Sequence, residues 1–227
     1  MFFAAHADDT SACMGGTASL LAQMGASIRS IICMPANRNT VARQTRVEEA
    51  IAEHEALGLP RPECLEFFNG ELEVNPKTRE RFALMISGWG PDVVFTHFPS
   101  DDHPDHQIVG CLATKPGLDR GVTWETFCFE AWRSETEPQS AGFRPSHIVD
   151  ISGESADKKY RAIDAHTSQN AVYLARLGEN ISAFYGKIDR RHGQQIGVRS
   201  SERFLRLTRP VDKSLHSGLE GLIKPLD

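Results

Sequence analysis

Short apolar runs alternate with helical stripes along most of the chain. Phe2–Ala5 is an apolar strand, followed by a polar turn and a helix-like segment, Gly16–Met24, that Gly25 closes as a C-cap. Ile28–Met34 reads as a second strand. Val47, Ala50 and Ile51 open a helical stripe that reaches Leu57 and stops at Gly58 and Pro60. Cys64–Phe68 is a third strand. Pro76 suits a first helical turn, and Phe82, Met85, Ile86 and Trp89 then recur at the i, i+3, i+4, i+7 spacing of a buried face, ended by Gly90 and Pro91. Val93–Thr96 is a fourth strand, and Pro104 can start a helix whose inner side carries Ile108, Val109 and Leu112. Further on, Trp124–Ala131 and His147–Ile151 predict strands, and Ala156–His166 and Ala171 to about Ile188 predict helices. Arg133–Arg144, rich in Ser, Glu, Pro and Gly, predicts a loop at the rim of a pocket, and the polar tail of about 210–227 is expected to be loosely ordered.

Strands separated by helices imply parallel pairing with right-handed crossovers, hence an α/β fold with a mostly parallel central sheet. Ligands of such sheets bind beyond the carboxyl ends of strands, where the strand order reverses. With 227 residues, no internal repeat and no linker, one domain over 1–227 is expected.

Two short motifs sit at strand ends. AHADD carries His6, Asp8 and Asp9 after the first strand, and DDHPDH spans Asp101 to His106 after the fourth. If those strands are neighbours, the motifs meet. Neutral imidazole with carboxylate is the chemistry that holds a catalytic divalent metal with open positions left over. His6 and Asp9, three apart in a tight turn, can both face one ion, and His106 supplies a third ligand. Asp8 is then free to act as general base on zinc-bound water. His103 would sit on the substrate side, where as an imidazolium it would stabilise an oxyanion and protonate the leaving amine, with Asp105 raising its basicity and fixing its tautomer.

Composition narrows the partners. The formal net charge is -5 with both signs mixed along the chain, so there is no basic stripe for nucleic acid. No stretch approaches the roughly 20 apolar residues of a membrane span, and Met1–Ala5 lacks a basic n-region and cleavage site, so a cytoplasmic protein is expected. The five cysteines, odd in number and without a CxxC pair, read as reduced thiols packed with apolar neighbours.

The AHxDD and HPDH turns, Arg46-x-x-Glu49 running to Leu57-Gly58, the segment Lys159-x-x-Ala162-x-x-x-His166-x-Ser168-Gln169 and Glu202-x-Phe204 together resemble the LmbE-like, or PIG-L, family of zinc-dependent N-deacetylases. The similarity runs from His6 to about Leu207. It implies a Rossmann-like three-layer sandwich that hydrolyses an acetamide, most often on a 2-acetamido sugar such as N-acetylglucosamine. It also implies zinc (or Fe2+, Co2+ or Mn2+) on His6, Asp9 and His106, with Asp8 as base and His103, supported by Asp105, as electrophile or acid. Arg46 falls where the family has a substrate-binding arginine, and His166 falls near the pocket.

Departures bear on the substrate. The family's usual AHPDDE becomes AHADDT here, with Ala7 and Thr10, and the glycine-rich turn after strand two is replaced by Pro35–Asn39. Several residues also have plainer readings. Arg46 beside Glu48 and Glu49 suits an exposed helix charge, His166 suits a helix C-terminus, and His97 reads as structural. His54, His147, His192 and His216 read as solvated or packed. Three rival functions remain open: a hydrolase of a different amide or carbamate, a non-haem iron oxygenase with the same two histidines and carboxylate, and a non-catalytic binding module. The last lacks any GxGxxG or P-loop to support it. The expected partner is a small N-acetylated sugar or amine, and a homo-oligomer is open.

Overall fold

The structure is a computed structural model that describes residues 1–119, 124–134, 137–138, 140, 142–208, 219 and 221–226. Its parallel half comprises β1 (Phe2–Ala4), β2 (Ser30–Ile32), β3 (Glu63–Cys64), β4 (Val93–His97) and β5 (Glu125–Phe129), with α1 (Asp9–Gln23), α2 (Arg43–Leu57), α3 (Pro76–Trp89) and α4 (Pro104–Asp119) between them. Then come the hairpin β6 (Trp132–Ser134) and β7 (Glu137–Pro138), β8 (His147–Asp150), α5 (Glu154–Asp164), α6 (Thr167–Leu177), α7 (Ile181–Gln195), β9 (Ser201–Thr208) and β10 (Lys224–Pro225). The main sheet runs β10-β8-β9-β5-β4-β1-β2-β3. It is parallel from β5 to β3 and antiparallel at the β10-β8-β9 side, which makes the expected α/β architecture.

Alternation along β1 builds the two cores. Phe2 joins one apolar cluster with residues of α1, α5 and α7, whereas Phe3 joins the other with Phe82 and Ile86 of α3 and Val109 and Leu112 of α4. Successive side chains of a strand face opposite sides, so a fully apolar strand is a strand covered on both. The chain order reverses between β1 and β4, paired through Phe2 and Phe95. That is the crevice where both sequence motifs arrive.

Several boundaries depart from the hydrophobic pattern. Helix α1 starts at Asp9, not Gly16, and is interrupted at Met14 (φ -148°). Its second segment is capped from afar: Glu202 of β9 accepts hydrogen bonds from Gly16 N (3.0 Å), Thr17 N (2.8 Å) and Thr17 Oγ1 (2.6 Å). Lys159, fully buried on α5, ion-pairs with Glu202 (2.8 Å) and Asp189 (2.8 Å) and balances these carboxylates. The predicted helix 171–188 is two helices, because Gly178 in the left-handed region closes α6 and Asn180 caps α7 through Ala183 N. Strand β9 has no counterpart in the pattern. Within the predicted loop 133–144 lies part of the β6–β7 hairpin, and from the tail Lys224–Pro225 pairs with β8. His216 lies outside the described residues. His54, His147 and His192 are packed, and the cysteines are free, with Cys13, Cys33 and Cys128 buried. Among the described residues no helix is long and apolar enough to cross a membrane.

Glycines set close approaches on both faces of the sheet. A Cβ on Gly16 would lie 2.7 Å from Ile151, and one on Gly110 of α4 would lie 2.7 Å from the His97 carbonyl oxygen. Gly16→Ala is expected to destabilise the protein by about 1–3 kcal/mol, as forced overpacking does. Urea denaturation reads this directly, and an unchanged midpoint would show that α1 and β8 can separate freely.

Candidate active site

The first motif forms a tight turn held by its own carboxylate. Asp9 Oδ2 accepts from the His6 N–H (2.6 Å), and the Ala5 N–H donates to His97 Nε2 (3.0 Å), which ties the turn to the end of β4. On the neighbouring strand the second motif starts α4, and Asp101 Oδ1 accepts from the His103 N–H (2.8 Å). The two turns therefore face each other.

Three expected ligands converge. His6 Nδ1 lies 3.3 Å from His106 Nε2 and 3.5 Å from Asp9 Oδ2, and His106 Nε2 lies 3.6 Å from Asp9 Oδ1. Donors at roughly 2.0–2.2 Å from a tetrahedral ion stand about 3.3–3.6 Å apart, so the spacing suits a zinc-sized cation. The donor clusters His6/His103/His106 and Asp9/His97/His106 share His106 with this set. The outer ring nitrogens face carboxylates: His6 Nε2 is 2.9 Å from Asp105 Oδ2, and His106 Nδ1 is 3.3 Å from Asp101 Oδ1. Metal-binding histidines are oriented in this way, with the inner nitrogen left toward the ion.

Close packing of imidazoles and carboxylates shifts several titrations here. Burial alone would lower the His6 pKa, but Asp9, Asp105 and Asp8 raise it to about 10. His106 is raised against its burial by Asp9 and Asp101. Asp9, despite burial, is held well below its usual range by His97, His106 and His6.

Some predicted roles change. The Asp105 carboxylate serves His6 and the Gly70 N–H (3.0 Å), not His103. Only its backbone N–H meets His103, donating to Nδ1 (3.2 Å), which places the imidazole proton on Nε2. Burial and the neighbouring His106 and His6 lower the His103 pKa, with Asp9 and Asp105 pulling the other way. His97 is more than structural. Its ring stacks on His106 (centroids 3.9 Å apart), and its Nε2 lies 3.0 Å from Asp9 Oδ2. A nitrogen that accepts from Ala5 has no proton for Asp9, so these two contacts compete for its tautomer. The sequence reads His97 as structural and gives Asp101 no role; their places at the end of β4 and the start of DDHPDH are the signal that points to them.

A cavity of about 420 Å³ opens over these donors. Asp8, Asp9, His6, His103 and His106 form one end, while Pro35, Ala36, Asn37, Thr40 and Val41 of the loop after β2, Gln169, Val172 and Tyr173 of α6, and Trp132 line the rest. Residues 133–144, expected at the rim, supply no lining residue among those described; the adjacent Ala131 and Trp132 do. Arg46 reaches the cavity but is buried and committed: it donates to Glu49 Oε2 (2.6 Å) and lies 3.4 Å from Asp8 Oδ1. His166, expected near substrate, is fully buried and lines no part of the cavity. It joins Arg46 Nη1 (3.2 Å) to Glu53 Oε2 (2.6 Å), and Glu53 Oε1 accepts from Ser11 N (2.7 Å) at the start of α1. Both residues support the turn that carries Asp8 rather than forming an open subsite.

An α/β fold is the frame this chain shares with known proteins. The family model described as GlcNAc-PI de-N-acetylase (PIG-L) matches residues 1–115, and the chain belongs to that family. Diacetylchitobiose deacetylase of Thermococcus kodakarensis is 26% identical over 214 residues, covering 86% of this chain and 79% of that protein. The N,N'-diacetylchitobiose deacetylase structure from Pyrococcus horikoshii superposes with a TM-score of 0.75 at 21% identity, covering 94% of this chain and 87% of that one. The 4-carboxy-2-hydroxymuconate hydratase GalB from Pseudomonas putida KT2440 superposes with a TM-score of 0.76 at 20% identity, covering 93% and 97%. Likeness at these identities shows a common fold.

Glu49 offers a pH test of the supporting network. Burial would raise its pKa, but His166, Ser168 and Arg46 hold it well below its ordinary 4.5. A depressed carboxylate stabilises the fold above the unfolded pKa, and that contribution is lost as pH falls below it. Glu49→Gln is expected to cost roughly 3 kcal/mol at pH 7, because Arg46 loses its partner, and the gap to wild type should narrow below about pH 4.5. A gap that stays constant with pH in denaturant titrations would show that Glu49 acts by packing alone.

Proposed function

We propose that this chain is a cytoplasmic, single-domain N-deacetylase that hydrolyses the acetamide of an N-acetylated sugar. One observation carries the reading: His6 Nδ1, His106 Nε2 and the Asp9 carboxylate lie within 3.3–3.6 Å of one another, with Asp8 beside them in the same cavity. The relatives named for diacetylchitobiose deacetylation support the substrate class. Cavity charge supports it too. Among the described residues the only Lys or Arg lining the cavity is Arg46, which is engaged by Asp8 and Glu49, so none of them offers a free cation to a carboxylated substrate of the kind the hydratase neighbour is named for.

His6, Asp9 and His106 would hold zinc or a similar divalent ion, oriented from outside by Asp105 and Asp101. When bound, such an ion acidifies water and polarises a carbonyl. Asp8, held at Oδ1 by Arg46, takes the proton as the water oxygen attacks the acyl carbon. His103 Nε2–H donates a hydrogen bond to the acyl oxygen as it becomes anionic. Asp8 then returns its proton to the nitrogen while the C–N bond breaks, and acetate and a free amine result. Asp8 is thus the proton carrier in both halves, and His103 serves the acyl oxygen.

Acetate release from N-acetylated amino sugars and their glycosides, compared between zinc-loaded and chelated protein, tests the activity. Metal-dependent release is expected. Silence with zinc verified would exclude this substrate class and turn attention to other amides and carbamates. Asp8→Asn should keep stoichiometric zinc while turnover drops by about 100-fold or more; loss of metal along with activity would sink the base assignment. Asp101→Asn should weaken zinc binding by roughly 10- to 100-fold, measured against a competing chelator. Unchanged affinity would show that His106 needs no orienting carboxylate.

A further inference from the structure

The proposed chemistry gives Tyr185 no task. Tyr185, on α7, lines the same cavity as Asp8, Asp9 and His106 and is only 6% exposed. Its hydroxyl has no hydrogen-bond partner among the described residues. A buried tyrosine ordinarily pairs its hydroxyl, so an unpaired one in a cavity wall is a donor awaiting a ligand oxygen. The ring is well fixed. It packs edge-on against Phe184 (centroids 5.2 Å apart), and the Lys159 ammonium sits 5.8 Å from its centroid. It also lines a much smaller cavity together with Cys13, Asp189 and Glu202. Burial, reinforced by groups that include Asp9 and Asp8, pushes the phenol well above its ordinary 10.0, so it remains protonated and donates. Tyr173 also lines the cavity, but it stands on α6, a helix with no buried residue. Tyr173 is half-buried and also packs on Phe184 (centroids 5.8 Å apart), whereas Tyr185 is the more deeply buried of the two.

We propose that Tyr185 is a catalytic hydrogen-bond donor whose hydroxyl binds the acyl oxygen of the substrate as that oxygen becomes anionic, complementing His103. The assignment rests on the deacetylase reading, and it predicts a site that prefers a tetrahedral oxyanion. A rigid donor aimed at developing charge is worth more in the transition state than in the bound substrate.

Tyr185→Phe removes only the hydroxyl and keeps the ring. Two measurements on zinc-loaded wild type and variant test the role: calorimetric binding of methylphosphonate, a tetrahedral oxyanion with the methyl group of acetate, and steady-state acetate release. The variant should bind methylphosphonate about 10- to 100-fold more weakly and lose a similar factor in kcat, with KM within about threefold. Zinc content and melting temperature should match wild type. Equal methylphosphonate affinity in the two proteins, or no binding by wild type, would overturn the role. So would a change confined to KM. Because methylphosphonate needs no sugar, a wild type that binds it but releases no acetate would sink the deacetylase reading and still decide on Tyr185.

Discussion

Parallel pairing of β1 with β4 is the constraint on which the site depends. Neither turn alone collects three donors, and the pairing of Phe2 with Phe95 sets how far each strand projects toward the crevice. The pairing needs close packing behind it. Gly110 lets α4 touch the last carbonyl of β4, and Phe3 stacks on Phe82 (centroids 5.1 Å apart) to anchor β1 on the α3/α4 side. A one-residue slip would send His6 to the opposite face of the sheet's end, since side chains alternate.

Around that junction the charges are layered. Innermost are the inward nitrogens of His6 and His106 with Asp9; outside them, Asp105 and Asp101 take the outward nitrogens. Beyond Asp8 lies a third layer, Arg46, Glu49, His166 and Glu53, which loops back to the start of α1 through Ser11. Each buried charge has an opposite neighbour, which is the condition for tolerating so many ionisable groups away from water. The outer layer is structural in what it touches and functional in what it holds.

Much of this was legible in the sequence, for physical reasons. Strands covered on both faces read as continuous apolar runs, so β1, β2 and β4 announced themselves, and the paired motifs at their ends located the crevice. What stayed hidden lacked contrast. The first half of α1 is buried nearly all round by Asp9, Thr10, Ser11 and Ala12, so it shows no amphipathic stripe. Strand β9 mixes Glu202, Arg203 and Arg206 with apolar residues because its charges reach distant partners. Arg46 and His166 carry a substrate reading from the family resemblance beside plainer ones, and the burial that distinguishes these readings depends on α2, α5 and α6 coming together. The exchange of partners around Asp105 follows the same logic, since a carboxylate one residue from His106 reaches across the crevice to His6.

Helix α6 draws a division of labour through the molecule. It supplies Gln169, Val172 and Tyr173 to the cavity yet buries none of its own residues in the core. The loop after β2 likewise faces the cavity from outside the sheet. The first turn of α6 is the exception, because Thr167 and Ser168 hold Glu49, but beyond it substitutions at Gln169 or Val172 can reshape what enters without touching the β1/β4 junction. A scaffold divided in that way can diverge in substrate while its reaction centre stays still.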